Sequence, residues 1–162
     1  MGTFFTYKRI TPESVYVSFL TKRRTRNAEG WERMETVSKK PAPTGSFILD
    51  EIARMLAANV GIDAGRIARR LGASEQDVQG FFRILTGMNA TDFIGAYRIL
   101  RAKEWLACTD LPIGEIHKRC GFSSHSSFSR RFDQVVGCSP LRYRAQNRPA
   151  NYRDLYCYDS GK

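Results

Sequence analysis

Apolar residues change period twice along the chain, and those changes set its expected organisation. Residues 14–20, SVYVSFL, gather β-branched and aromatic side chains in a short run, and a second run begins at Trp31 with Met34 and Val37 after the basic, turn-like TKRRTRNAEG. The pattern predicts a two-stranded hairpin, which could not be stable by itself. KKPAPTG, Lys39 to Gly45, is a linker by composition. From Ser46 the period becomes helical: Ile48, Ile52, Leu56 and Val60 recur at four-residue spacing, with Ser46 placed as the cap and Asp50 and Glu51 in the first turn. A second helix is expected from Asp63 to Leu71, closed by Gly72, and a third after Ser74, where Ser74-Glu75-Gln76-Asp77 forms a capping box. A long helix follows from Asn89 to Cys108. The unit then repeats: Pro112 opens a helix that Gly121 ends, another runs from Ser124 to Val136, and Ser139-Pro140 starts a last short one. The predicted fold is mainly α. It is a seven-helix domain over residues 46–147, with two helix-turn-helix subdomains joined by a long central helix. Residues 1–45 precede it as a basic segment with a possible β-hairpin and linker, and residues 148–162 follow as a tail.

Charge sharpens this picture. The 162 residues hold 26 Lys and Arg against 16 Asp and Glu, a net of +10, so a polyanion is the first partner to consider. Residues 1–46 carry a net of +5, residues 47–87 a net of zero, residues 88–147 a net of +4 and residues 148–162 a net of +1. The two helix-turn-helix units therefore differ, the second being the basic one. No apolar run approaches the roughly 20 residues of a membrane span, and the start lacks the apolar core of a signal peptide. A cytoplasmic, nucleoid-associated protein is expected, with four reduced thiols at Cys108, Cys120, Cys138 and Cys157, since none is paired in a CxxC spacing.

Three stretches carry a resemblance. They are IARRLGASEQDVQGFFRILTG at 67–87, YRILRAKEWL at 97–106 and TDLPIGEIHKRCGFSSHSSFSRRFDQVVGCSPLRYR at 109–144. With their closing GF, SxxSFSRxF and GxSPxxYR elements in order, Phe47 to Asn147 resembles the DNA-binding domain of the AraC/XylS family of bacterial transcription regulators. The likeness leaves the first 46 residues unassigned: they match neither the full-sized sensor domain of most members nor the near absence of extra chain in the small stress-response ones.

The resemblance implies double-stranded DNA as partner and gives the serine-rich GFSSHSSFSRRF a purpose. In a helix-turn-helix the second helix enters the major groove, so the residues near its start must be short or able to hydrogen-bond. His125, Ser126, Ser129 and Arg130 are the expected base contacts of the second unit. Arg130 leads, because a guanidinium can pair with both O6 and N7 of guanine. Ser123, Ser124 and Arg131 are expected at phosphates. The bland alternative is a surface helix capped and solubilised by serines. In the first unit Gln76, Gln79 and Gly80 occupy the base-contacting positions and Ser74 a phosphate position. Glu75 and Asp77 repel phosphates there, though both equally suit a helix N-terminus. The expectation is asymmetric reading: the second unit anchors and the first adds modest specificity. A central helix of about 20 residues spans roughly 30 Å, close to the pitch of B-DNA, so one chain can present both units to successive major grooves.

Other readings rank below this one. His117 stands where the family usually has alanine, and must either tilt its unit or point along the helix crevice. His117, Cys120, His125 and Cys138 follow no common structural zinc spacing, so neither metal nor cofactor is expected. No catalytic constellation or glycine-rich phosphate loop is present. The competing function is a protein-interaction module binding another regulator or RNA polymerase, with weak DNA binding. TKRRTR reads as a phosphate-reaching arm or a solvated tail. Tyr16, Phe19 and Trp31 are candidates to pack that segment on the helical body or on a second copy as a homodimer, although a monomer on DNA is the primary expectation. The tyrosines of NYRDLYCYD suit a tail folded back on the domain.

Overall fold

The structure, a computed structural model, describes residues 9–159. In chain order its elements are α1 (Pro12–Val15), β1 (Leu20–Arg26), β2 (Glu32–Thr36), α2 (Phe47–Ala58), α3 (Ala64–Leu71), α4 (Glu75–Thr86), α5 (Ala90–Cys108), α6 (Ile113–Arg119), α7 (His125–Val136), α8 (Pro140–Asn147), α9 (Tyr152–Leu155) and β3 (Tyr156–Tyr158). The seven expected helices are α2 to α8, and α1 and α9 are single turns added at the two ends.

Local chemistry accounts for most boundaries. Ser46, Asp63, Ser74, Asn89, Ser124 and Ser139 each accept a backbone N–H of the first turn, satisfying donors that a helix start leaves free. Gly72, Gly87 and Gly137 end α3, α4 and α7 in the left-handed conformation.

Two cores lie on the central helix. Its first half places Ala90, Phe93, Ile94 and Tyr97 among Leu49, Ile52, Leu56, Ile67, Val78 and Phe82. Its second half places Ile99, Ala102, Trp105 and Leu106 among Ile116, Cys120, Phe128 and Phe132. The halves are tied directly. Arg98 donates from Nε to the Val60 carbonyl at 2.9 Å and from Nη2 to the Ile62 carbonyl at 3.1 Å. Gly121, at φ +81°, lies so close to Gly61 that a Cβ built on it would sit 2.6 Å from the Gly61 Cα. The α2–α3 loop and the α6–α7 turn thus meet backbone to backbone, which side chains would prevent.

The hairpin's first strand lies six residues further along than the sequence suggests, at Leu20–Arg26 in place of 14–20. TKRRTR is not its turn but most of β1; the turn is Asn27 to Gly30, with Gly30 at φ +88°. The apolar run before it docks instead of pairing. Tyr16 packs on Tyr97 and bonds Glu104, Ser18 Oγ donates to Glu104 at 2.6 Å, and Phe19 stacks on Trp105 at 3.8 Å between ring centroids. Arg101 bonds the Tyr16 hydroxyl and the Val17 carbonyl. Apolar side chains gain more by covering α5 than by lying on an isolated ribbon. Trp31, by contrast, stays 75% exposed and takes no part in that docking.

The tail does fold back. β3 pairs antiparallel with β1, giving a sheet of order β2-β1-β3, and Tyr158 meets the edges of both Phe19 and Trp105. The two flanking segments of the chain therefore share one small sheet seated on the second half of α5.

Candidate nucleic-acid interface

The second unit pairs α6 with α7. Phe128 and Phe132, four residues apart, are fully buried, and this fixes which face of α7 looks outward. Ser123, Ser124, His125, Ser126 and Arg130 are exposed on that side, and Ser129 is half-buried. Ser124 Oγ accepts the Ser127 N–H at 3.1 Å, so this hydroxyl is the helix cap. His125 Nε2 and Ser129 Oγ stand 3.5 Å apart on successive turns.

Two neighbouring arginines have different fates. Arg130 is exposed and has no hydrogen-bond or ion-pair partner among the described residues. Arg131 turns the other way: its Nη2 donates to Asp92 Oδ1 of α5 at 3.1 Å, and its guanidinium lies over Gly95, where a Cβ would meet Nη2 at 2.9 Å. Gly95 leaves room for this tether between α7 and the first half of the central helix.

His117, on α6, turns toward the start of α7. Its ring meets that of His125 edge-on at 5.8 Å, and His125 in turn lies 6.4 Å from Phe128. His117 Nδ1 is buried without a partner among the described residues. Burial pushes the Cys120 thiol up to about 12, so it stays protonated at neutral pH. Among the described residues no group of three or more His, Cys, Asp or Glu side chains could hold a metal.

The first unit pairs α3 with α4 and presents less. Ser74 and Asp77 form the reciprocal capping box, Ser74 Oγ accepting the Asp77 N–H at 3.1 Å and Asp77 Oδ2 accepting the Ser74 N–H at 3.2 Å. The Asp77 carboxylate thus has a structural role. Gln76 is exposed, while Gln79 Oε1 accepts the Ala90 N–H at 2.8 Å and fastens α4 to the start of α5. A Cβ on Gly80 would meet nothing within 4 Å, so the helix flank there is open. Arg83, not singled out in the sequence, is exposed on α4 and unpartnered among the described residues; its position at the last turn, beyond the expected contact positions, gave no signal.

The basic charge of the second half is only partly available. Arg98, Arg101, Arg131 and Arg144 all bond protein oxygens, Arg144 reaching the carbonyls of Leu106 and Trp105. Arg130, Lys118, Arg119 and Arg142 are exposed, but Lys118 pairs with Glu115 at 3.5 Å and Arg119 lies over the Trp105 ring. No helix among the described residues is long and apolar enough to cross a membrane.

Two helix-turn-helix units on one central helix define a double helix-turn-helix protein, and comparison with known proteins supplies the family. A family profile described as a helix-turn-helix domain matches residues 67–146. The transcriptional activator AarP of Providencia stuartii is 31% identical over 120 residues, covering 73% of this chain and 87% of AarP. The transcriptional activator RhaR of Klebsiella pneumoniae is 31% identical over 122 residues, 74% of this chain but 43% of RhaR, so the chain spans under half the length of that relative. Among solved structures, the DNA-binding domain of the global transcriptional factor AdpA, in complex with a target DNA, aligns with a TM-score of 0.57 at 29% identity over 61% of this chain and 90% of that domain. The chain belongs to the AraC/XylS family of bacterial transcription regulators and carries that family's DNA-binding domain. These relatives are named as regulators of transcription, not as enzymes.

Proposed function

We propose that the chain regulates transcription by reading a bipartite duplex site, α7 in one major groove and α4 in the next, with α7 dominant. The observation that carries this reading is the contrast on α7: Arg130 is free and outward beside a helix start made of short polar side chains, whereas Arg131 is committed to Asp92. Arg130 pairs with a guanine, Ser126, His125 and Ser129 meet neighbouring base edges, and Ser123 with the Ser124 cap holds a phosphate at the helix N-terminus. Arg131 acts by fixing the angle of α7 on α5 instead of touching a phosphate.

In α4, Gln76 is the base-reading side chain and Gly80 admits the DNA backbone or a base edge close to the helix. Gln79 contributes through its remaining amide N–H groups, because its oxygen is engaged by Ala90. Ser74 offers the cap to a phosphate. The 19 residues of α5 extend about 28 Å, near one turn of B-DNA, so a single chain serves both grooves.

Selection of bound duplexes from a random pool by the full chain, at near-physiological salt, tests this. Two boxes about one helical turn apart are expected. A single box would mean that α7 alone reads sequence. No enrichment would refute sequence-specific binding.

A further inference from the structure

The outer edge of β2 has no partner strand among the described residues, and its backbone phase can be worked out. Val37 N–H donates to the Thr21 carbonyl and Asn27 N–H to the Trp31 carbonyl, while Arg23 faces Glu35 and Thr25 faces Arg33. The peptide groups of Trp31, Arg33, Glu35 and Val37 therefore point toward β1. Those of Glu32, Met34 and Thr36 point away from the sheet, free to bond another strand.

Charged residues on a sheet edge usually keep it single. Here their order does the opposite for one particular partner. If a second copy of β2 is laid antiparallel on this edge, the phase allows only registers that match outward residues with outward residues. Centring on residue 33 sets Arg33 against Arg33, and centring on residue 35 sets Glu35 against Glu35; like charges directly opposite are unfavourable. Centring on Met34 sets Arg33 against Glu35 twice, Glu32 against Thr36 twice, and Trp31 against Val37 twice. Both conflicts disappear in that register, which pairs the whole of β2, whereas centring on Thr36 overlaps only the strand's end.

We propose that two copies of this chain associate through β2, in an antiparallel pairing centred on Met34, to make a continuous six-stranded sheet. About six backbone hydrogen bonds join the strands. Arg33 already bonds Glu35 of its own strand, Nε to Oε1 at 2.8 Å, so the two pairs merge into a ring of four alternating charges. Trp31, 75% exposed, and Met34, 38% exposed, become covered, which accounts for two large apolar side chains left outside either core. The paired molecule carries four recognition helices, two from each copy.

Sedimentation of the full chain across micromolar to near-millimolar concentration, without DNA, tests this separately from sequence reading. A reversible dimer is expected. Arg33→Glu and Glu35→Arg should each weaken it about tenfold or more, and Arg33→Glu combined with Glu35→Arg in one chain should restore it. An equimolar mixture of the two single variants should form a heterodimer that neither forms by itself, a result that misfolding of the hairpin cannot produce. Met34→Pro, which removes the central outward N–H, should leave a monomer. A wild-type chain that stays monomeric, a dimer indifferent to the single reversals, or reversals that fail to complement each other would each overturn the proposal.

Discussion

Arg131 and Asp92 join α7 to the far half of the central helix at 3.1 Å, so a residue from the second recognition helix is held by the first half of α5. The orientation of α7 is consequently a property of both halves. Removing either partner should lower stability by about 0.5–1 kcal/mol, as for a partly exposed pair, and the double substitution Arg131→Ala with Asp92→Ala should cost less than the sum. Urea melts read as a double-mutant cycle check this; strict additivity would mean that the tether is idle.

Arg98 closes the same gap from another side. Arg98→Met keeps its aliphatic stem but frees the carbonyls of Val60 and Ile62, with an expected loss of about 1–3 kcal/mol. The variant should also tolerate an altered spacing between the two DNA boxes better than wild type does. Melting together with a spacer series measures both effects.

Glycines at two places make opposite predictions. Gly121→Ala forces a Cβ onto the Gly61 backbone at a positive φ and should destabilise by about 1–3 kcal/mol. Gly80→Ala meets open space in a helix and should stabilise by roughly 0.5–1 kcal/mol. If Gly80 admits DNA closely, that stabilised variant binds its duplex more weakly. Equal affinity would remove Gly80 from the interface.

Alkaline pH should unfold the protein earlier than its charge alone implies. Burial raises the thiols of Cys108 and Cys120 from an ordinary 9.0 to about 12. A group raised in the folded state contributes stability that is complete below its unfolded pKa and lost as pH climbs toward the folded one. The loss should thus run from about pH 9 upward, and Cys120→Ala should flatten that limb in melts taken between pH 8 and about 11. Without denaturant, thiol reagents should modify exposed Cys157 and half-buried Cys138 first.

Legibility followed the range of the interaction. Helix starts were readable because Ser46, Ser74, Asn89, Ser124 and Ser139 act on residues three positions away, and the buried face of α7 because Phe128 and Phe132 lie four residues apart. The placement of β1 was misread because its side chains are mostly basic and polar while the apolar run beside it belongs to a docking surface. Pairing of β3 with β1 joins residues more than a hundred positions apart and leaves no periodic trace. The same holds inside the interface. Nothing in SFSRRF tells which arginine will meet Asp92, and nothing near Gln79 shows that its oxygen will take the Ala90 N–H.

The most direct test of the central claim is the affinity of Arg130→Ala and Gln76→Ala for the selected duplex, read by fluorescence anisotropy at one fixed salt concentration. Dominance of α7 predicts that Arg130→Ala loses about 1–3 kcal/mol of binding and its preference at one guanine, with a smaller loss for Gln76→Ala and unchanged melting for both. Affinity that survives Arg130→Ala but collapses with Gln76→Ala would contradict it and make α4 the principal reader.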